Sequence, residues 1–220
     1  MASPDGAGPA DAGHLIERHS ASETLVQGGF LELRRDTVHL PDGGSATREY
    51  IAHPGAVAVV PLLDDGRLVL VRQHRYPVNT LLLELPAGKL DAGENTLDCA
   101  RRELAEETGY SATEWAFGCE IHNAAAYSTE SIWIWFARGL QPGAQQLDAG
   151  EFVQVETHSE AELDALAAAD RLPDVKTRVA LHQLQRWRAG AWPLHWQGVQ
   201  AARAWAAAQG HRPIEPRPAR

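Results

Sequence analysis

Residues 88–110 read GKLDAGENTLDCARRELAEETGY, and this stretch decides the fold. Its second half predicts a helix with Glu103, Glu106 and Glu107 on one side, because residues three and four apart are neighbours on a helix surface. Three such carboxylates repel one another unless cations neutralise them. Carboxylate oxygens are hard ligands that select Mg2+, Mn2+ or Ca2+, and Mg2+ commonly combines a few carboxylates with the phosphate oxygens of a substrate. The spacing therefore predicts a site for a divalent metal and a phosphate.

The residues around these carboxylates fit the same interpretation. Gly88 and Gly93 allow the preceding loop to turn sharply and to bring backbone carbonyls close to a cation. Arg102 adjoins Glu106 on the helix and can hold a carboxylate by a bidentate contact. The acidic edge is expected to border the core, because the helix carries one apolar stripe, formed by Leu97, Ala100 and Leu104. The competing interpretation is that this acidic, alanine-rich helix is only a solvated surface.

The complete string is more specific than its three carboxylates. It resembles the Nudix box of nucleoside-diphosphate-linked-X hydrolases at every polar and glycine position, from Gly88 to Gly109. Tyr110 departs from the box, where the family usually has a bulky aliphatic residue. The resemblance implies an α/β fold, namely an α/β/α sandwich with a mixed β-sheet. It also implies hydrolysis of a diphosphate by a metal-activated water.

The resemblance assigns roles within the box. The implied metal ligands are the Ala87 carbonyl and the carboxylates of Glu103, Glu106 and Glu107, which are also the catalytic acids. Arg102 is the implied orienting residue of the catalytic centre, and the residues with structural parts are Gly88, Glu94 and Gly109. The implied cofactor is Mg2+, with Mn2+ as the alternative, and two or more ions accompany the substrate.

A longer stretch narrows the resemblance to one branch of the family. Residues 53–94, HPGAVAVVPLLDDGRLVLVRQHRYPVNTLLLELPAGKLDAGE, resemble ADP-ribose pyrophosphatases, and with DVKT at residues 174–177 the likeness extends over roughly residues 24–188. In that branch a small N-terminal antiparallel β-subdomain exchanges across a homodimer and helps to form the substrate pocket. Phe30 and Arg48 match positions near the adenine, and Arg75 matches one near the phosphates. The competing interpretation is a core Phe and surface Arg residues.

The stretch HNAAAYSTES, residues 122–131, stands where this branch has a proline-containing loop. Ala125 replaces the Pro that is typical of the ADP-ribose class, which leaves the choice of substrate open. Glu130 matches the loop Glu that such enzymes use as a general base or an additional metal ligand. The competing interpretation is a solvated loop Glu.

The resemblance as a whole implies Mg2+-dependent cleavage of ADP-ribose to AMP and ribose 5-phosphate. The alternative substrates are other nucleotide sugars, such as ADP-glucose or GDP-mannose, which the missing Pro favours. A different class of function is a non-catalytic sensor that binds ADP-ribose. The complete set of box carboxylates and the lack of a basic recognition helix favour the enzyme.

Composition limits the partners. The formal net charge of −9 argues against a nucleic-acid or anionic-membrane surface, since both need a basic footprint. Cys99 and Cys119 are too few and too far apart for a disulfide framework or a zinc site, which favours a reducing compartment. No stretch approaches 18 apolar residues. A cytoplasmic protein is expected, and the resemblance implies a homodimer that acts on a small-molecule substrate.

Four segments follow from composition and periodicity. We predict a disordered tail over residues 1–20, an N-terminal β-subdomain over 21–52, the hydrolase domain over 53–190, and a C-terminal helix and tail over 191–220. The runs AVAVVPLL and RLVLVRQ flank Asp64-Asp65-Gly66, which predicts a hairpin. Helical spacing covers residues 160–169 and 175–188, and the C-terminal helix is expected to pack on the domain or on a partner subunit.

Overall fold

The computed structural model describes residues 12–210, which divide into two compact units. The described part of unit 1 comprises residues 12–53 and Ala124–Thr129, and that of unit 2 comprises residues 54–123 and 130–210. Residues 1–11 of the predicted tail, and the Pro- and Arg-rich end after residue 210, lie outside the described residues. No helix within residues 12–210 has both the length and the apolar character needed to cross a membrane.

Unit 1 is an antiparallel meander in the strand order β1-β2-β3. Its strands are β1 (Arg18–Gln27), β2 (Glu32–His39) and β3 (Ser45–Ala52). The turn between β2 and β3 is closed by a hydrogen bond of 2.9 Å from the Leu40 N–H to the Gly44 carbonyl. Its residues Pro41-Asp42-Gly43-Gly44 are of the types that favour turns.

Strand β1 begins inside the range predicted as a tail. Arg18 and His19 pair with His39 and Val38 of β2, so the tail predicted over residues 1–20 is too long at its C-terminal end. The ladder to β2 satisfies the backbone groups there, although the side chains are mostly polar. A tertiary contact of this kind leaves no trace in local composition.

The segment Ala124–Thr129 also belongs to unit 1. The Ile51 N–H donates to the Tyr127 carbonyl, and the Thr129 N–H donates to the Ile51 carbonyl, both at 2.9 Å. The His53 N–H donates to the Thr129 hydroxyl at 2.9 Å. The segment is therefore bound to the end of β3, far away along the chain.

Unit 2 contains a five-stranded sheet in the order β11-β8-β9-β4-β7 and a three-stranded sheet in the order β10-β5-β6. Strands β4 and β9 are parallel and all the other pairs are antiparallel, so the larger sheet is mixed, as predicted. The strands are β4 (Ala56–Pro61), β5 (Leu68–Arg75), β6 (Thr80–Glu84), β7 (Ala87–Lys89), β8 (Tyr110–His122), β9 (Ser131–Pro142), β10 (Val153–His158) and β11 (Gln197–Gly198).

Side-chain caps define where three of the four helices of unit 2 begin. The helices are α1 (Thr96–Thr108), α2 (Glu160–Ala168), α3 (Val175–Arg188) and α4 (Val199–Gln209). Asn95 caps α1, Ser159 forms a capping box with Glu162 at α2, and Asp174 caps α3. Gly109, at φ +74°, ends α1 in a left-handed conformation that favours glycine.

The central strand β4 separates two apolar cores. Val57 and Val59 face one core with α1 and α4, whereas Ala58 and Val60 face the other with α2 and α3. All four side chains are fully buried, because alternate residues of a strand point to opposite faces and helices cover both. The expected α/β/α sandwich is confirmed, and the C-terminal helix packs on the domain itself.

The hairpin predicted around Asp64-Asp65-Gly66 is wrong in its pairing. A turn is present, with Gly66 at φ +85°, but β4 pairs with β7 and β9 whereas β5 pairs with β6 and β10. A single bridge between Leu62 and Leu68 remains of the predicted ladder. Strand β4 and the first half of β5, Leu68–Val71, are buried on both faces, so their apolar runs do not specify which neighbour each strand takes.

Candidate active site

Helix α1 carries the acidic edge at the border of the core. Glu103 and Glu107 are buried, and Glu106 is half-buried. The Arg102 Nη1 atom donates to Glu103 at 2.7 Å and to Glu106 at 3.0 Å. The Arg102 guanidinium therefore fixes two of the three carboxylates.

Arg102 also joins the helix to the loop before it. Its Nε and Nη2 atoms form a bidentate contact with Glu94 at 3.0 and 2.9 Å. Glu94 in turn accepts a hydrogen bond from the Asp91 N–H at 3.0 Å. Burial works to raise the pKa of Glu94, but Arg102 outweighs it and holds that pKa below its ordinary value. Glu94 thus stays ionised and braces the loop.

Strand β7 approaches the acidic edge closely. The Ala87 N–H donates to the Glu107 carboxylate at 3.0 Å. A Cβ atom added at Gly88 would lie 1.9 Å from the Glu103 Oε1 atom. Only glycine leaves room for the Glu103 carboxylate at this point.

The two buried carboxylates hold their protons unusually well. Burial, together with the negative charges of Glu103 and Glu151, raises the pKa of Glu107 to about 8, although the Ala87 N–H opposes the shift. Burial also raises the pKa of Glu103, against the effect of Arg102. Desolvation and like charges both disfavour a carboxylate ion, and perturbed acids of this kind are concentrated at functional sites.

Glu151 is a further candidate for the site, which the sequence reasoning missed. Its charge acts on both Glu103 and Glu107. The loop that carries it docks on the end of α1, where the Gln145 side chain donates to the Glu107 carbonyl at 2.6 Å and the Gln146 N–H donates to the Glu106 carbonyl at 2.9 Å. In the sequence Glu151 is only one acid in the irregular stretch LDAGE, without a periodic signal.

The donor set fits a divalent metal. Three carboxylates and the Ala87 carbonyl offer hard oxygens, and a bound cation would offset the burial and like-charge effects that raise the pKa values of Glu103 and Glu107. Within residues 12–210 no three acidic, His or Cys side chains already converge as a metal-binding group. The reason is visible in the contacts, since Arg102 holds Glu103 and Glu106 while Ala87 holds Glu107. Binding would require rotations of these side chains away from their present partners.

Arg75, at the end of β5, belongs to the same region. It forms a bidentate contact with Glu84 at 2.9 and 2.8 Å, and Lys176 donates to the same carboxylate. The Glu84 contact raises the pKa of Arg75, and the charge of Glu107 adds to the effect. The Arg75 side chain is 41% exposed, so a ligand can still reach it.

The other predicted site residues are described by their own contacts. Glu130 directly precedes β9 and accepts a hydrogen bond from Asn123 at 3.2 Å. Ala125 lies in a turn closed by the Tyr127 N–H on the Ala124 carbonyl. Phe30 and Arg48 belong to unit 1, where Phe30 packs edge-on against His53 and Arg48 pairs with Glu17. Among the predicted residues outside the box, Arg75 is brought close enough to interact electrostatically with Glu107 within unit 2.

Comparison with known protein families shows the family to which this chain belongs. Residues 52–179 match the model of the NUDIX domain, and residues 21–51 match that of the nucleoside diphosphate sugar hydrolase N-terminal domain. The chain belongs to the Nudix hydrolase family. The family is known for a dependence on divalent metal, which agrees with the oxygen donors of α1 and β7.

Two curated relatives of this Nudix hydrolase align along most of their length. The ADP-ribose pyrophosphatase of Bacillus subtilis (strain 168) is 34% identical over 78% of this chain and 94% of its own. The methanol dehydrogenase activator of Bacillus methanolicus is 35% identical over 79% of this chain and 95% of its own. A solved crystal structure of an ADP compounds hydrolase superimposes with a TM-score of 0.71 at 23% identity, over 79% of this chain and 95% of that one. This last likeness shows the shared fold.

Proposed function

We propose that this Nudix hydrolase cleaves the diphosphate bond of ADP-ribose, or of a related nucleoside diphosphate sugar, with Mg2+ as its cofactor. The observation that supports this most is the pairing of opposite charges at one place. The buried carboxylate of Glu107, which neighbours Glu103 on α1, lies within the electrostatic reach of Arg75. A pyrophosphate bridged by cations needs both acidic ligands for the cations and a basic group for its own oxygens.

The chain supplies the positioning for this reaction. Glu103, Glu106, Glu107 and the Ala87 carbonyl would hold Mg2+, with Mn2+ as the other candidate and two or more ions in the complex with substrate. When bound, these ions act as Lewis acids that lower the charge on the phosphate oxygens. Arg102 holds the carboxylates in register, and Arg75 binds the phosphate oxygens on which charge builds as the bridge breaks.

The candidates for the proton acceptor are Glu130, a glutamate of helix α1 and, from the structure, Glu151. Glu130 was expected from the resemblance, and Glu151 is supported by its interaction with Glu103 and Glu107. A general base must come within hydrogen-bond reach of the attacking water, and a loop residue can reach it when substrate binds. We expect Glu151→Gln to lower kcat at least about 100-fold and Glu130→Gln to lower it less. Single-turnover rates measure this, and equal losses in the two variants would contradict the assignment to Glu151.

The substrate is identified by product analysis. The purified protein is incubated with Mg2+ and, in separate reactions, ADP-ribose, ADP-glucose and GDP-mannose. We expect AMP and ribose 5-phosphate from ADP-ribose, and no products when EDTA is present. The Ala125 position favours one of the other nucleotide sugars as the second candidate, and faster turnover of either would select it.

A variant at Glu107 tests the assignment of the active site. Glu107→Gln should lower turnover at least about 100-fold while the protein still folds, because it removes a ligand and leaves a neutral side chain of equal size. Glu120→Gln, on the exposed part of β8, is the matched control and should leave turnover unchanged. Binding of ADP-ribose without release of AMP under Mg2+ would instead point to the sensor.

A further inference from the structure

A buried ionic cluster joins the start of α3 to the end of β6. The members of this Glu84 cluster are Arg75, Glu84, Asp174, Lys176 and Thr177. The Glu84 side chain is 1% exposed, and those of Lys176 and Asp174 are 10% exposed. A carboxylate and an ammonium are almost never buried so deeply unless each is paired. The cluster must therefore be maintained as a unit.

The cluster holds two parts of the candidate site. Glu84 accepts the bidentate contact from Arg75 on one side and the ammonium of Lys176 on the other. Thr177 accepts a hydrogen bond from the Leu85 N–H at 3.0 Å, two residues before Ala87. The first turn of α3 thus fixes both the Arg75 side chain and the backbone that enters the Nudix box.

Lys176 has a distinct role in the charge balance of the Glu84 cluster. Arg75 and Glu84 alone would form a neutral pair, with little field left for an anion. Lys176 shares the charge of Glu84, so these three groups together carry one positive charge. Asp174 returns a negative charge: it accepts a hydrogen bond from the Lys176 ammonium at 2.8 Å and, at the N-terminus of α3, from the Thr177 N–H at 2.9 Å and the Thr177 hydroxyl. The charges of Arg75, Glu84, Lys176 and Asp174 therefore balance only while Lys176 is present.

We propose that Lys176 is a positioning residue for diphosphate binding, which keeps the Arg75 guanidinium oriented and electropositive by sharing the charge of Glu84. The proposal rests on the proposed function in one respect, namely that Arg75 meets the phosphate oxygens. Loss of the Lys176 charge leaves Arg75, Glu84 and Asp174 with a net negative charge beside an already acidic edge. Such a change weakens the binding of an anion more than it slows the chemical step.

Steady-state kinetics with ADP-ribose and Mg2+ test this part of the site. We expect Lys176→Met to raise KM about 10-fold with kcat within about threefold of the wild type. Lys176→Arg restores the charge and should return KM to within about threefold. Arg186→Met removes a cation from the same helix near Trp192, far along α3, and should leave KM unchanged. If Lys176→Met does not fold, Lys176→Gln removes the charge and keeps a hydrogen-bond donor.

A double-mutant cycle separates positioning from simple structural support. Arg75→Met should raise KM by itself, and Lys176→Met added to it should raise KM no further, because Lys176 acts through Arg75. Urea unfolding measures the free energy of unfolding of every variant and shows whether each one is folded. The same rise in KM with and without Arg75, or an unchanged KM in a folded Lys176 variant, would overturn the proposal.

A binding measurement keeps this test apart from the test of the proposed function. If the wild type cleaves no nucleoside diphosphate sugar, the proposed function fails, and calorimetry with magnesium pyrophosphate then reports on Lys176 alone. A loss of affinity of about 10-fold in Lys176→Met that disappears in the Arg75→Met background supports the positioning role. Equal affinities in wild type and Lys176→Met overturn it.

Discussion

At the scale of single residues, the acidic edge depends on the lack of a side chain at Gly88. Gly88 is placed so that the Glu103 carboxylate occupies the space where a Cβ atom would lie. The spacing of the box predicted Glu103, Glu106 and Glu107 on one helix side, and the helix bounds agree with it. Glu151 could not be predicted, because its place depends on how a loop docks on α1 and not on any local period.

Gly88→Ala tests this close approach. Its Cβ would lie 1.9 Å from Glu103 Oε1, so the flexible Glu103 side chain must turn away from its present position. We expect kcat/KM to fall about 100-fold, while the free energy of unfolding falls by about 1 kcal/mol. Gly198→Ala is the control, because open space surrounds that glycine. Kinetics together with urea unfolding measure both effects, and near-normal kcat/KM would show that Glu103 can move without loss.

At the scale of elements, periodicity predicted the type of each segment better than its partners. The bounds of α3 agree with the predicted helix, because apolar spacing and the Asp174 cap are local signals. The partners of β4 and β5 were not predictable in this way, because β4 and the first half of β5 are apolar runs buried on both faces. Strand pairing depends on tertiary contacts with strands and helices that lie far away in the sequence.

The pairing of β5 with β10 carries an ion pair that predicts a dependence of stability on pH. Arg72 donates to Glu156, and together with His158 it lowers the pKa of Glu156 from 4.5 to about 2. A carboxylate with a lowered pKa in the folded state stabilises the protein above the unfolded pKa, and this contribution is lost as the pH falls from about 4.5 towards 2. We expect wild type to exceed Glu156→Gln in free energy of unfolding by about 1 kcal/mol at pH 6.

Urea unfolding at pH 6 and at pH 3 provides the comparison. The difference between wild type and Glu156→Gln should shrink at the lower pH, where the wild-type carboxyl begins to take up its proton. A difference that stays constant between the two pH values would show that the ion pair does not cause it.

At the scale of the whole molecule, the family and the α/β/α architecture followed from one short string, whereas the assembly does not follow from the chain alone. Unit 1 exposes several large apolar side chains, among them Val26 at 57%, Phe30 at 55% and Leu31 at 40%. Protein interfaces commonly contain exposed apolar side chains that lie together on the surface. The resemblance implied a homodimer, and this stays a prediction.

Light scattering tests the dimer directly. We expect a particle of twice the 24.0 kDa chain mass at micromolar concentration. Val26→Glu should shift the mass towards one chain, because it places a charge among the apolar side chains of unit 1. A wild-type mass of one chain would contradict the dimer.

The attachment of residues 124–129 to β3 limits how this protein can be recombined with its relatives. The chain leaves unit 2 after Asn123 and re-enters it at Glu130. Unit 1 therefore consists of two separate segments of the chain and cannot be exchanged as one continuous piece. A chimaera that exchanged only residues 21–51 would leave the backbone of Tyr127 and Thr129 facing a foreign strand. Successful grafting therefore requires both pieces from the same parent, and natural divergence of the two pieces is expected to be coupled.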